Sequence, residues 1–192
     1  IISPIMVQAD RFFIGVFLSA AAIGIYVLPM EVISQTLIII GSITTVMYPV
    51  FSKSISEDFE AGFKLYERYS QKIAFLLFAL YSIIFLILPK AFNLWLGEVS
   101  PQTINIAQIL CIGALLNSLT GLKYSMIQAM GRADICAKIH IVELPIYIVM
   151  VTYLINSVGL IGVAIAWSLR MFLDLILMSY ALNKVSVNYL KN

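Results

Sequence analysis

Residues 73–88 read IAFLLFALYSIIFLIL, an uninterrupted apolar run without one charged residue. Only Tyr81 and Ser82 offer polar side chains within it. A helix needs about 20 apolar residues to cross a hydrocarbon layer of ~30 Å, and this run, taken as 72–89, comes close to that length. The stretch therefore predicts a helix that spans a membrane. Because it has so few polar side chains, we expect this helix to be peripheral and to face lipid.

The composition of the whole chain also indicates a membrane protein. Of its 192 residues, 61% are hydrophobic and 11% are charged, and the mean hydropathy is +0.99. A soluble domain is about half apolar and about a quarter charged, so these few charges could not cover the surface of a water-soluble fold. The net charge of +2 is too small to indicate nucleic-acid binding. Cys111 and Cys136 lie in or beside apolar segments, which is typical of inert thiols rather than of a disulfide or a metal site.

The apolar pattern of 72–89 recurs five more times along the chain. No segment has the alternating polarity of a β-barrel strand, so we expect an all-α, polytopic transmembrane helical bundle of about six spans. Because the first residue already lies in an apolar segment, we expect a shortened first span and a chain that forms the C-terminal part of a longer protein. Besides 72–89, the predicted spans are 1–16, 23–50, 104–130, 138–156 and 160–183.

The positive charges predict the orientation of the bundle. Cytoplasmic loops of membrane proteins carry an excess of lysine and arginine, and only Lys90 falls on the side of the bundle that holds WLGEVSP at 95–101. The C-terminus is therefore expected in the cytoplasm, and Glu98 outside. The segment 52–71 combines charges with apolar residues at helical spacing, which predicts an amphipathic linker at the cytoplasmic interface. The positive residues of the predicted cytoplasmic side are Lys53, Lys64, Arg68, Lys72, Arg132, Lys138, Lys184 and Lys191.

Several ionisable side chains lie at membrane depth. Each costs several kcal/mol if it is isolated in lipid, so such residues normally face the interior of the bundle or a wet cavity, and they are normally paired. Four acids and three bases suggest that most of these charges cancel. They are Asp10, Arg11, Glu31, Lys123, Glu143, Arg170 and Asp174.

Counting depth along the helices predicts which of these charges meet. At 1.5 Å per residue, Arg11 and Glu31 both lie ~15 Å inward from a turn near Ala20, on neighbouring antiparallel helices. We therefore expect them to form an ion pair. Since adjacent helical residues point ~100° apart, Asp10 and Arg11 cannot satisfy each other, and one of them needs a different partner.

A second group of charges is expected nearer the cytoplasm. Lys123 and Glu143 lie within ~3 Å in depth of each other, and Glu143 falls level with Arg170 and Asp174. Polar side chains also share one face on the second span and on the fourth, and His140, Glu143 and Tyr147 share a face on the fifth. We expect these stripes to line a cavity together with the charges, and their candidate members are Gln35 on the second span and Asn117 and Tyr124 on the fourth.

These residues also allow structural interpretations. Buried ion pairs can do no more than fix helix register, and Lys123 can extend along the helix toward cytoplasmic water. His140 fits an interfacial histidine better than a proton relay. The sequence contains no metal-ligand spacing, nucleophile–base set or phosphate-binding glycine loop, so it gives no support to an enzyme or a metal site.

Several motifs carry a family likeness over essentially the whole chain. Together they resemble the C-terminal half of bacterial polysaccharide transporters, specifically Wzx-type O-antigen flippases of the multidrug/oligosaccharidyl-lipid/polysaccharide exporter superfamily. The motifs are VQADRFFIG at 7–15, YPVFSKSI at 48–55, NLWLG at 93–97, IQAMGR at 127–132, HIVELPIY at 140–147 and GLIGVAIAWSLRMFLD at 159–174.

The resemblance implies a transporter of two six-helix lobes in the bacterial inner membrane. It implies export of undecaprenyl-diphosphate-linked sugar repeat units by alternating access, with no cofactor beyond H⁺ or Na⁺ as the coupling ion. The implied partners are the lipid-linked oligosaccharide, membrane lipids, the N-terminal lobe and polysaccharide polymerase machinery. The seven embedded charges map onto the cavity of the family, although their near-neutral sum departs from the basic cavity that an anionic diphosphate requires.

Three other functions stay open at this point. A cation-coupled multidrug antiporter of the same superfamily would use the buried acids to exchange organic cations for H⁺ or Na⁺. A lipid II flippase fits less closely than an O-antigen flippase. A non-transporting membrane scaffold would need the charges only for packing, and its core would stay dry.

Overall fold

The computed structural model describes the backbone of residues 2–191 and the side chains of residues 10–187 and of Tyr189. Residue 1 of the predicted first span and the Lys191 side chain of the predicted cytoplasmic tail lie outside this description. Within residues 2–191 the structure is an all-helical bundle without strands, as predicted. The helices are α1 (Ile2–Phe17), α2 (Ala20–Glu57), α3 (Phe59–Leu96), α4 (Pro101–Ala129), α5 (Ala133–Val158) and α6 (Leu160–Lys191).

The described helices make this a multi-pass membrane protein. By length and composition, each of α2 to α6 can cross a membrane. Helix α1 has 16 residues, or about 24 Å, and is shorter than the hydrocarbon layer. Helix α3 continues through Pro89 to Leu96, beyond the predicted span of 72–89.

Short junctions connect the helices and make successive helices antiparallel. Ser19 caps α2 by accepting a hydrogen bond from the backbone N–H of Ala22 at 3.2 Å. Ser100 caps α4 in the same way, through the backbone N–H of Thr103. Gly159 joins α5 to α6 at φ 69°, a left-handed conformation that glycine adopts without the steric penalty of a Cβ atom.

The segment 52–71 forms a helical hairpin. Its first part continues α2 to Glu57, the chain reverses at Asp58, and its second part begins α3. The Asp58 carboxylate accepts hydrogen bonds from the backbone N–H groups of Glu60 and Ala61, so it satisfies two free donors at the start of α3. A Cβ atom on Gly62 would lie 2.8 Å from the backbone nitrogen of Ile55, so only glycine lets the two helices approach this closely.

Helices α4 and α6 form the centre of the bundle. About 44% of the apolar window of each is buried, against 17% for α3, which confirms the prediction that the third span is peripheral within this bundle. Gly113 of α4 faces α6, where an added Cβ atom would lie 2.7 Å from Oγ of Ser168. The Ser168 hydroxyl also donates to the backbone carbonyl of Ile109 at 2.9 Å, and these contacts hold the two central helices together.

A tyrosine attaches the peripheral helix to this centre. The hydroxyl of Tyr81 on α3 lies 2.9 Å from Oγ1 of Thr36 on α2 and 3.0 Å from Oγ of Ser118 on α4. These contacts satisfy the buried hydroxyl of Tyr81, which would cost about 1–3 kcal/mol if it had no partner.

Candidate functional site

Two charges meet on the open side of α1 and α2. Nη2 of Arg11 donates to Oε1 of Glu31, and the two side chains are 42% and 54% exposed. The ion pair predicted from matched depth is therefore confirmed. Glu31 lies about 16 Å along α2 from Ala20, or roughly halfway across the hydrocarbon layer. Half-exposed charges at this depth require a polar neighbour or water.

The exposed face of α2 continues this polar surface. Gln35, one turn beyond Glu31, is exposed, as are Ser42 and Thr45 further along the helix. Ser42 and Thr45 donate to carbonyls of their own helix at 2.9 Å and 2.8 Å, so they tolerate a nonpolar environment. Arg11, Glu31 and Gln35 form the part of this face that needs a polar environment, and we call these three residues the outer polar face.

Asp10 lies on a different side of α1 from Arg11 and is buried among tyrosines. Its Oδ2 accepts a hydrogen bond of 2.8 Å from the hydroxyl of Tyr26 on α2, and its Oδ1 accepts one from the hydroxyl of Tyr147 on α5. Only 2% of Asp10 is exposed. The prediction that Asp10 and Arg11 need different partners is confirmed, and Asp10 thereby connects three helices.

Arg170 of α6 lies beside the same network. Its guanidinium carbon is 5.5 Å from the centroid of the Tyr147 ring, a distance that allows a cation–π interaction. Its Nε has no hydrogen-bond partner in the described part of the chain. The half-buried guanidinium therefore keeps donor capacity free while it contacts the tyrosine that binds Asp10.

Three further groups converge between α5 and α6. Nδ1 of His140 lies 3.2 Å from Oε2 of Glu143, and single ligand atoms of His140, Glu143 and Asp174 lie within 4.8 Å of one another. Glu143 is fully buried, and Oε1 of Glu143 and Oδ1 of Asp174 lack partners among the described residues. Two carboxylates and an imidazole at this spacing could bind a proton or a small cation, and we call them the inner acid cluster.

The polar residues of α4 contact α5 and α6. Nδ2 of Asn117 lies 3.0 Å from the sulfur of Met171, and the ring of Tyr124 lies 6.1 Å from that of His140. Lys123 is half-buried and forms no ion pair with Glu143 or with any other side chain in the described range. Equal depth in the membrane therefore did not mean that the side chains of Lys123 and Glu143 form an ion pair.

The predicted site residues thus separate by exposure into three groups. The exposed ones are Glu31 and Gln35, the half-buried ones are Arg11, Asn117, Lys123, Tyr124 and Arg170, and the buried ones are Asp10, Glu143 and Asp174. The sequence analysis missed Tyr26 as a partner of Asp10. It placed Tyr147 on the polar face of the fifth span without assigning it that contact. The signal for both was a tyrosine in a stretch that otherwise has few polar side chains.

Comparison with known proteins shows what the chain is related to. It is 34% identical to a Shigella flexneri protein named "Putative O-antigen transporter", over 194 aligned positions that cover 98% of this chain and 45% of that protein. The chain thus spans a little less than half the length of this curated relative. No solved structure matches it.

The sequence profile of a family described as "Polysaccharide biosynthesis protein" matches residues 1–99. The match includes α1, all of α2 and α3 and the outer polar face. Together with the similarity to an O-antigen transporter, it supports the resemblance found in the sequence motifs. The chain belongs to the polysaccharide biosynthesis protein family.

Proposed function

We propose that this chain forms one lobe of a transporter that exports undecaprenyl-diphosphate-linked polysaccharide repeat units, such as those of O-antigen, across the bacterial inner membrane. Transport would proceed by alternating access between this bundle and a second, N-terminal lobe. The family match and the name of the Shigella flexneri relative support a polysaccharide transporter. Polysaccharide polymerase machinery is a further partner in this proposal, which involves no enzymatic step.

The outer polar face is the observation that carries the proposal. Arg11, Glu31 and Gln35 present polar groups on the outside of the described bundle near mid-membrane, where contact with lipid would cost several kcal/mol. A water-filled cavity between two lobes removes this cost. In such a cavity the guanidinium of Arg11 can leave Glu31 for a diphosphate or an acidic sugar, because arginine binds phosphate oxygens through two parallel N–H donors.

Energy coupling belongs to the inner acid cluster in this proposal. Glu143 and Asp174 are buried with Arg170 as the neighbouring base, so two carboxylates face one guanidinium unless His140 or a carboxylate takes up a proton, or a cation binds. Replacing Glu143 with Gln removes one negative charge and keeps the shape. Glu143→Gln should abolish the stimulation of export by an imposed H⁺ or Na⁺ gradient at unchanged protein abundance. Undiminished stimulation would exclude this cluster as the coupling site.

Complementation tests the transport site. The natural full-length protein is expressed in a host that lacks its own O-antigen flippase, and O-antigen display at the cell surface is measured at matched membrane abundance. Arg11→Gln and Glu31→Gln should each reduce display. The matched control is Lys53→Gln with Glu57→Gln, because this exposed pair also lies on α2 but at its far end. The control should leave display unchanged.

A charge exchange separates a transport role of the outer pair from a structural one. The double variant Arg11→Glu with Glu31→Arg restores an ion pair but moves the cation to the other helix. If the pair only fixes helix register, the exchange should restore display. If Arg11 binds substrate, display should stay low although the protein accumulates normally. Full display by the exchanged variant would therefore overturn the assignment of the outer polar face to the substrate.

A further inference from the structure

A groove lies between the start of α5 and the end of α6. It has a volume of about 350 Å³. Apart from two basic side chains and the Tyr180 hydroxyl, its walls are apolar. None of its lining residues belongs to α1 or α2, so it is separate from the outer polar face. The residues that form its walls include Ile135, Ile139, Leu177 and Tyr180.

Two basic residues, Arg132 and Lys184, also line this groove, one from each side. Nε of Arg132 donates to Oδ1 of Asp134 at 3.0 Å, and this carboxylate raises the pKa of Arg132 above its usual value. Lys138 binds the same carboxylate, whereas Lys184 is exposed and pairs with no acid in the described structure. The lining of the groove therefore carries two cations and no carboxylate.

The rim of the groove is fixed by contacts outside it. The hydroxyl of Tyr189 on α6 donates to the backbone carbonyl of Met130, just before Arg132, at 2.6 Å. The Tyr189 ring also stacks on Phe59, with 5.0 Å between the ring centroids and 8° between the planes. The end of α6 and the junction that carries Arg132 are thereby held together, so the groove does not depend on a ligand for its shape.

We propose that this groove binds one anionic glycerophospholipid. An acyl chain covers the walls, which are predominantly apolar, and the phosphate lies between Arg132 and Lys184. Apolar walls below a pair of cations match the amphipathic structure of such a lipid, and basic pockets between membrane helices at the cytoplasmic side bind anionic lipid head groups. The proposal goes beyond transport, because it assigns a site for a lipid that is not the transported substrate.

Native mass spectrometry of the purified full-length protein tests the proposal. Phosphatidylglycerol and phosphatidylcholine with identical acyl chains compete for binding, and the ratio of bound lipids is measured. A basic residue near an anionic lipid surface contributes roughly a 5-fold preference. Arg132→Gln and Lys184→Gln should therefore each reduce the preference for phosphatidylglycerol by about 5-fold, and the double variant by about 30-fold.

Two further variants decide whether the groove itself is responsible. Lys138→Gln removes the same charge from α5, but Lys138 does not line the groove, so the preference should persist. Ile135→Phe fills part of the groove without a charge change and should lower the binding of both lipids. An equal loss of preference in Lys138→Gln would show diffuse surface attraction and overturn the site. Undiminished lipid binding by Ile135→Phe, or no preference in the parent protein, would also overturn it.

Discussion

The hydrogen bond from Tyr26 to Asp10 allows a measurement of how much the buried contacts of Asp10 stabilise the bundle. Tyr26→Phe removes one hydroxyl that donates to Oδ2 of Asp10 and changes little else, because the ring can keep its packing. Tyr147 still donates to Oδ1. The variant therefore leaves one buried carboxylate oxygen without its described donor, on a side chain that is 2% exposed.

The structure sets the expected size of this effect. A hydrogen bond to a charged group contributes about 1.5–3 kcal/mol in soluble proteins. Bonds between membrane helices average only ~0.6 kcal/mol and reach at most ~1.7 kcal/mol in double-mutant cycles. Because Asp10 is buried and shared by three helices, we expect the upper end of the membrane range. The coupling energy between Tyr26→Phe and Asp10→Asn should be about 1–1.7 kcal/mol.

Reversible unfolding of the purified full-length protein in mixed micelles measures this coupling. The two single variants and the double variant complete a cycle, and Tyr153→Phe is the control, since Tyr153 is 70% exposed on α5. The control should change the free energy of unfolding by less than ~0.5 kcal/mol. A coupling energy below ~0.5 kcal/mol, within the range of independent sites, would show that the bond does not stabilise the bundle.

Three further predictions concern topology and packing. A reporter fused near Glu98 should behave as periplasmic, because the lysines and arginines gather on the other side; cytoplasmic behaviour would reverse the proposed orientation. Gly113→Ala should lower the free energy of unfolding by about 1–3 kcal/mol, because the added methyl group overpacks the contact between α4 and α6. Gly41 has open space around it, so Gly41→Ala should not lower this free energy. Equal effects of the two variants would refute the close contact at Gly113. Tyr189→Phe should lower the free energy of unfolding by about 0.5–1.5 kcal/mol, because it removes the hydrogen bond to the backbone carbonyl of Met130. An unchanged unfolding curve would contradict that bond.

The sequence was sufficient to predict the helices and one contact between side chains, the ion pair of Arg11 and Glu31. Apolar length alone predicts membrane helices, and the six observed helices follow the six predicted segments in order. Arg11 and Glu31 were matched because the short turn between α1 and α2 fixes the relative depth of both residues. Depth along two connected antiparallel helices can be counted from sequence, since each residue adds a constant rise.

The sequence could not give the contacts that depend on how helices rotate against each other. Asp10 meets Tyr147 across 137 positions. Depth placed Glu143 level with Asp174, which the structure confirms, but it did not show that both carboxylates lie within 4.8 Å of His140. Neither the rotation of a helix about its axis nor its lateral distance from another helix follows from hydropathy. For the same reason, Lys123 matched Glu143 in depth but forms no ion pair with it in the described structure.

The neighbouring residues Asp10 and Arg11 show how one helix carries a buried charged group beside a half-exposed one. Asp10 points into the bundle and is bound by tyrosines, whereas Arg11 points outward and pairs with the half-exposed Glu31. Removing a partner from a buried group leaves an uncompensated polar atom and destabilises the fold, whereas exposed pairs contribute only about 0–1 kcal/mol. Substitutions at Asp10 should therefore reduce stability first, and substitutions at Arg11 should reduce transport at nearly unchanged stability. Comparing the two substitutions in one protein would thus test whether adjacent positions on α1 separate a structural requirement from a functional one.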